Sequence, residues 1–226
     1  MQEPGAFSFG KSATSWSPSC KTLQPPIYAE PVQRSRELDQ KERIRRQAAQ
    51  LFARNGYHGT GIQALSEAVG LGRGALYHHI GSKEALFEEV STRPIQEMIE
   101  IAEATVAGPG SAAERIRLLC RAQMRTLADH QAEWTLFQRD AMVIRGVVRE
   151  RIFATRARFE AIWRQLLEEG VENGEFRALD PIALKGILGM HNYAYLWLDP
   201  GGRLTPEEIG DIFCDVMLHG IRAQGD

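Results

Sequence analysis

The amino-acid sequence predicts an all-helical chain, with a small N-terminal helical domain followed by a larger one. Three observations carry this. Apolar residues recur at helical spacing from residue 44 onward, helix-capping residues punctuate the chain, and no stretch shows the alternation of a half-buried strand. The 226 residues, 43% hydrophobic and 25% charged, suffice for one sizeable core or two smaller ones. About nine or ten helices are expected, with a boundary near residues 85–105.

Residues 1–33 are rich in Ser and Pro, lack helical or strand periodicity, and read as a disordered extension. Residues 34–90 read as the small domain and 91–226 as the large one. Ile44, Ala48, Leu51 and Phe52 recur at i, i+4, i+7 and i+8, one face of a helix that stops at Asn55-Gly56. Thr60 and Gln63 have capping-box spacing and open a short helix through Ala68. Gly70-Leu71-Gly72 breaks it, and a second short helix over about 73–80 follows, with Ala75, Leu76 and Ile80 as its buried positions. Ser82 caps a longer helix, to about residue 104, whose apolar positions include Ala85, Leu86 and Val90. Gly108-Pro109-Gly110 ends it. Ser111 with Glu114, Asp180 before Pro181, and Thr205 with Glu208 mark later helix starts.

Charge and cysteine usage narrow the function classes. Residues 34–92 carry nine Lys or Arg against seven Asp or Glu, while the remainder from residue 93 holds the acidic excess that makes the whole chain −2. Cys20, Cys120 and Cys214 are odd in number and widely spaced, which fits a reducing cytoplasm and offers no metal or disulfide framework. No apolar run reaches the length of a signal peptide core or a membrane span. Catalytic motifs are missing too: there is no HExxH, nucleophile elbow or phosphate loop. His78 and His79 are adjacent, so on a helix they diverge by roughly 100° and cannot chelate one ion together. Neither an enzyme nor a metal or cofactor protein is expected.

Two short helices joined by a glycine turn, with a longer helix packed across them, form a helix-turn-helix arrangement, which places one helix in the major groove of DNA. The segment GLGRGALYHHIGSK then supplies the contacts. Arg73 at the helix start suits bidentate pairing with guanine, and Gly74 permits close backbone approach. Tyr77 lies one turn further on, and His78 and His79 occupy the outer flank. Lys83, with the next helix's N-terminal N–H groups, suits a phosphate, as do Thr60 and Gln63 at the preceding helix.

The span 44–90, reading TGIQALSEAVGLGRGALYHHIGSKEALF through its middle, resembles the DNA-binding domain of the tetracycline-repressor (TetR) family of bacterial regulators. The match rests on Gly70, Leu76, Tyr77, His79 and Lys83. Gly72 stands where the family usually has a Ser-type cap, Ile80 where Phe is usual, and Ser66 where Ala is commoner. The resemblance implies a homodimer on a palindromic operator, with a small-molecule effector that releases it, and silencing as the sign of regulation.

A two-fold dimer would place two recognition helices on half-sites about one helical turn, roughly 34–36 Å, or a multiple of it apart. Ile209, Ile212, Phe213, Val216, Met217 and Ile221 make an apolar stripe on the last helix, and a helix over about 181–198 is apolar on more than one face. Ile187, Leu188, Ile212, Phe213, Val216 and Met217 are therefore the candidate dimer contacts, with Gly186 and Gly189 permitting close helix approach. The pattern fits a two-sided core helix equally well; the family resemblance favours pairing.

The large domain supplies aromatic and methionine side chains suited to an apolar pocket. Met124, Trp134, Phe137, Phe159, Trp163, His191, Asn192 and Tyr195 are the candidate effector contacts, with Gln138 and Arg139 as further polar groups. A histidine on an apolar helix is also an ordinary core residue, and that reading of His191 stays open. The stretches ILGMHNYAYLWLDPGGRLTPEEI and LEEGVENGEFR look similar to family members that respond to lipid-derived or acyl-CoA-type effectors. The competing reading is a helical carrier or interaction protein that keeps the helix-turn-helix as scaffold.

Overall fold

The structure, a computed structural model, describes residues 31–142 and 144–221, with side chains from Leu38 onward. The expected extension, apart from its last three residues, and Cys20 lie outside the described residues. Among those described there are nine α-helices and two short 3₁₀ segments. The first helix, α1, spans Pro31–Gly59 and so begins three residues inside the predicted extension; its helical geometry breaks at Gly56 (φ 74°, ψ 164°), at the Asn55-Gly56 stop that the sequence predicts.

The next two helices are α2 (Ile62–Val69) and α3 (Arg73–Ile80), and α4 (Lys83–Val106) runs on from the small domain into the large one. Between α2 and α3, Gly70 is left-handed (φ 66°, ψ 34°), a conformation that disfavours any side chain bearing a Cβ. Leu65, Val69, Leu76 and Ile80 turn inward onto Ile44, Ala48 and Phe52 of α1 and Leu86, Phe87 and Val90 of α4. Ala75 and Ala85, expected inside, are exposed: the short α3 is so nearly on the surface that only Leu76 and Ile80 reach the core.

The large domain comprises α5 (Ala112–Asp129), α6 (Gln131–Arg139), a 3₁₀ turn (Asp140–Met142), α7 (Gly146–Glu172), α8 (Ile182–Asn192), a 3₁₀ segment (Tyr193–Leu196) and α9 (Pro206–Ile221). The helix expected over 181–198 thus stops at Asn192 and tightens. Three starts follow the sequence reading. Ser111 and Glu114 close a reciprocal capping box, Thr205 and Glu208 do the same, and Asp180 accepts from the Ile182 N–H at 2.8 Å. Helices α5 and α9 pack closely at Gly210, where a Cβ would stand 2.8 Å from the Arg121 backbone. Alongside, Arg117, Arg121 and Arg125 of α5 pair with Asp215, Asp211 and Glu207 of α9, one pair per turn.

Candidate nucleic-acid interface and ligand cleft

The exposed rim of the small domain is built by two helix starts. Gly61 caps α2 and Gly72 caps α3, both extended, and no side chain closes on either set of N-terminal N–H groups. Unsatisfied donors at a helix start attract anions. Around them Gln63, Arg73, Gly74, Tyr77 and His78 are exposed, with His79 half-buried. Arg73 donates to Gln63 Oε1 at 3.1 Å and Gln63 donates to Glu67 at 3.0 Å, so the side chains of one helix hold those of the other. An added Cβ at Gly74 would meet nothing within 4 Å, leaving its backbone open to an approaching surface.

Thr60 corrects the sequence reading. It is fully buried, and its hydroxyl donates backward to the carbonyls of Gly56 (2.9 Å) and Leu51 (3.3 Å) rather than forward to α2. The helical geometry breaks at Gly56, and the Thr60 hydroxyl closes back over the end of α1 there. Its side chain is therefore out of reach of a phosphate.

Lys83 is half-buried, its Nζ 4.3 Å from the centre of the Tyr57 ring, and this burial lowers its pKa. Tyr57 also donates to Glu84 at 2.7 Å, a bond that holds the Glu84 carboxyl below its usual range; burial and the same carboxylate push the phenol up. Ser82 caps α4 by accepting from the Ala85 N–H at 3.0 Å. The ring, the carboxylate and the cap together fix the start of α4 beside α3. Tyr57 escapes the sequence reading because it follows the helix stop and belongs to no periodic pattern.

In the large domain a cleft of about 440 Å³ opens between α4, α6, α7, α8 and the 3₁₀ segment after it. Of the predicted contacts, Phe137, Phe159, Asn192 and Tyr195 line it, as does Gln138. Met124, Trp134, Trp163 and His191 do not: all four are fully buried core. His191 sits 2.8 Å from the Ile187 carbonyl through Nδ1 and 3.1 Å from Cys120 Sγ through Nε2, and burial depresses its pKa to about 4. The core reading of this histidine holds. The three charged residues of the cleft, Arg156, Glu160 and Lys185, escape the sequence reading.

Arg139 also departs from its expected place. It donates to the carbonyls of Ala53 (3.0 Å) and Phe52 (3.1 Å) on α1 and grips Asp140 through Nε at 2.7 Å. It thus ties the end of α6 to the small domain just ahead of the Gly56 break, and does not face the cleft.

The candidate dimer residues divide. Ile212 and Val216 of α9 are exposed and Phe213 is half-buried, whereas Ile187, Leu188 and Met217 are buried within the chain and offer a partner little surface. A two-sided α8 has to bury one face in its own core first. Gly186, Gly189, Ile182, Tyr193, Leu196 and Trp197 remain exposed, and nothing stands within 4 Å of a Cβ at either glycine. Among the described residues no helix is long and apolar enough to cross a membrane.

Known proteins share this arrangement. Residues 44–90 match the family described as bacterial regulatory proteins, tetR family, and residues 109–221 match the tetracyclin repressor-like C-terminal domain. The transcriptional repressor KstR2 of Mycobacterium tuberculosis is 26% identical over 181 residues, covering 79% of this chain and 90% of that protein. The TetR family regulator PfmR of Thermus thermophilus superposes with a TM-score of 0.73 at 31% identity, over 78% of this chain and 97% of its own. AibR, solved in complex with isovaleryl coenzyme A and operator DNA, gives 0.70 at 26% identity over 78% of this chain and 97% of its own. With both domains matched, the chain belongs to the TetR family and is a DNA-binding transcriptional regulator.

Proposed function

We propose that the protein is a repressor, paired as a homodimer on a palindromic operator in the cytoplasm, and released from it by a small hydrophobic effector. The observation that carries the DNA contact is the pair of glycine-capped helix starts ringed by exposed Arg73, Tyr77, Gln63 and His78. Arg73 reads a guanine, Gln63 and Tyr77 hold flanking phosphates, and the N–H groups of α2 and α3 take phosphate oxygens directly. Lys83 adds positive charge at the rim from its place over Tyr57. Pairing uses the exposed residues Ile212 and Val216 of α9 with the open glycine face of α8.

The cleft between α4, α6, α7 and α8 is the effector site, and its size falls in the range of small-molecule pockets. An acyl-CoA-type effector is supported by AibR, whose complex holds isovaleryl coenzyme A and operator DNA. The test is retardation of DNA taken from beside the protein's own gene, across a salt series. Lys83→Ala should weaken binding to all sequences, and Arg73→Ala should erode discrimination at one base pair by about 1–3 kcal/mol. Equal losses on specific and random DNA for both variants would refute these roles.

A further inference from the structure

Arg156 enters the cleft from α7 without an ion-pair partner among the described residues. Its Nη2 donates to the Phe137 carbonyl and to Gln138 Oε1 (3.2 Å), and the guanidinium lies 4.6 Å from the centre of the Phe137 ring and 5.6 Å from that of Phe153. Its Nε is buried without a hydrogen-bond partner. Glu160, one turn along the same helix, is engaged by Arg164 (2.9 Å) and Lys185 (2.7 Å), and among the described residues no carboxylate pairs with Arg156. Burial accordingly lowers the guanidinium's pKa. A half-buried cation held by carbonyl oxygens and ring faces alone is stabilised by any anion that reaches it.

We propose that the cleft takes a ligand with an apolar body and one anionic oxygen group, a carboxylate or a phosphate, that this group binds Arg156, and that Arg156 reports the ligand to the DNA-binding domain. This rests on the effector reading above and specifies its chemistry. Ile95, Phe159 and Leu188 supply the apolar wall, and a guanidinium suits either anion through paired N–H donors. The report follows from where Arg156 is tied. Its acceptors, Phe137 and Gln138, immediately precede Arg139, whose donors hold Phe52 and Ala53 of α1. An anion that draws Arg156 from the end of α6 loosens the anchor of that end on α1. The two states need differ only in their affinity for the ligand.

Calorimetric titration of the full chain with decanoate, decyl phosphate and decanol, below their aggregation limits, tests this. At least one anion should bind about ten- to a hundredfold more tightly than decanol, the range of a charge-assisted hydrogen bond. The stronger of the two identifies the group. Arg156→Gln should reduce the anions to the level of decanol and leave decanol unchanged, while Arg156→Lys should retain part of the preference. Binding of decanol as tightly as both anions, an anion preference that survives in Arg156→Gln, or no binding of any probe by the natural chain would each overturn the proposal. The comparison on the natural chain decides even if Arg156→Gln fails to fold. Retardation of operator DNA is measured on the same preparation: its absence there counts against the repressor reading, whereas the ligand preference is read by calorimetry alone.

Discussion

Replacing Arg139 with alanine tests the join between the two domains. The substitution removes two bonds to α1 carbonyls, at 3.0 and 3.1 Å, and the pair of contacts to Asp140 at 2.7 and 3.1 Å. A hydrogen bond from a charged donor contributes ~1.5–3 kcal/mol when enclosed, but the Arg139 side chain is 44% exposed, so about 1 kcal/mol for each carbonyl is the proper scale. Asp140, with a side chain only 7% exposed, is left without its cation and adds about 1 kcal/mol more. The total, about 3 kcal/mol, lowers the Tm of a chain this size by roughly 6–12 °C. Thermal unfolding followed by circular dichroism measures it. Combining Arg139→Ala with Asp140→Asn should recover the Asp140 share, because the stranded carboxylate is then neutral. A Tm within about 1 °C of the natural protein would show that the tie to α1 carries no weight, and the reasoning would fall.

Acid should expose the buried histidine. His191 has its pKa depressed from 6.5 to about 4, so it folds neutral; its contribution is fully present above pH 6.5 and is lost as pH falls toward 4, because the unfolded chain takes up the proton first. Urea unfolding should show a loss of about 2 kcal/mol between pH 7 and pH 5 that is absent in His191→Gln; identical slopes for the two proteins would contradict it. Gly210→Ala should cost about 1–3 kcal/mol in the same assay by forcing α9 off the α5 backbone, and a neutral result would mean that the helices separate freely. Thr60→Val should cost about 1–2 kcal/mol of stability through its unserved carbonyls, yet leave the salt dependence of DNA binding unchanged; a shallower salt slope would restore Thr60 as a phosphate contact.

Local chemistry made much of the fold legible. Capping pairs at Ser111 and Glu114 or Thr205 and Glu208 announce helix starts because both partners lie within one turn. Thr60 and Gln63 share that spacing and mislead, since the kink at Gly56 turns the Thr60 hydroxyl back onto the Gly56 and Leu51 carbonyls and away from α2. Periodicity marks Trp134, Trp163, His191 and Met124 as apolar-face residues, but burial does not say which side of a helix faces a void. Ile187, Leu188 and Met217 illustrate the same limit at the candidate dimer face. The partners of Arg139 and Arg156 could not be read at all. Arg139 meets carbonyls 86 and 87 residues away, and backbone oxygens carry no residue identity.

The glycines at positions 61 and 72 have a consequence for how the small domain is completed. Most helices finish their own first turn with a serine, a threonine or an acid, and α4, α5 and α9 do so here. Helices α2 and α3 do not, and neither do α6 and α7; in the complex proposed above, the open starts of α2 and α3 face the operator. In that complex the sugar-phosphate strand would take up those N–H groups on docking. The operator would thereby complete the first turns of two of the protein's own helices, so that fit and local folding would be settled in one event.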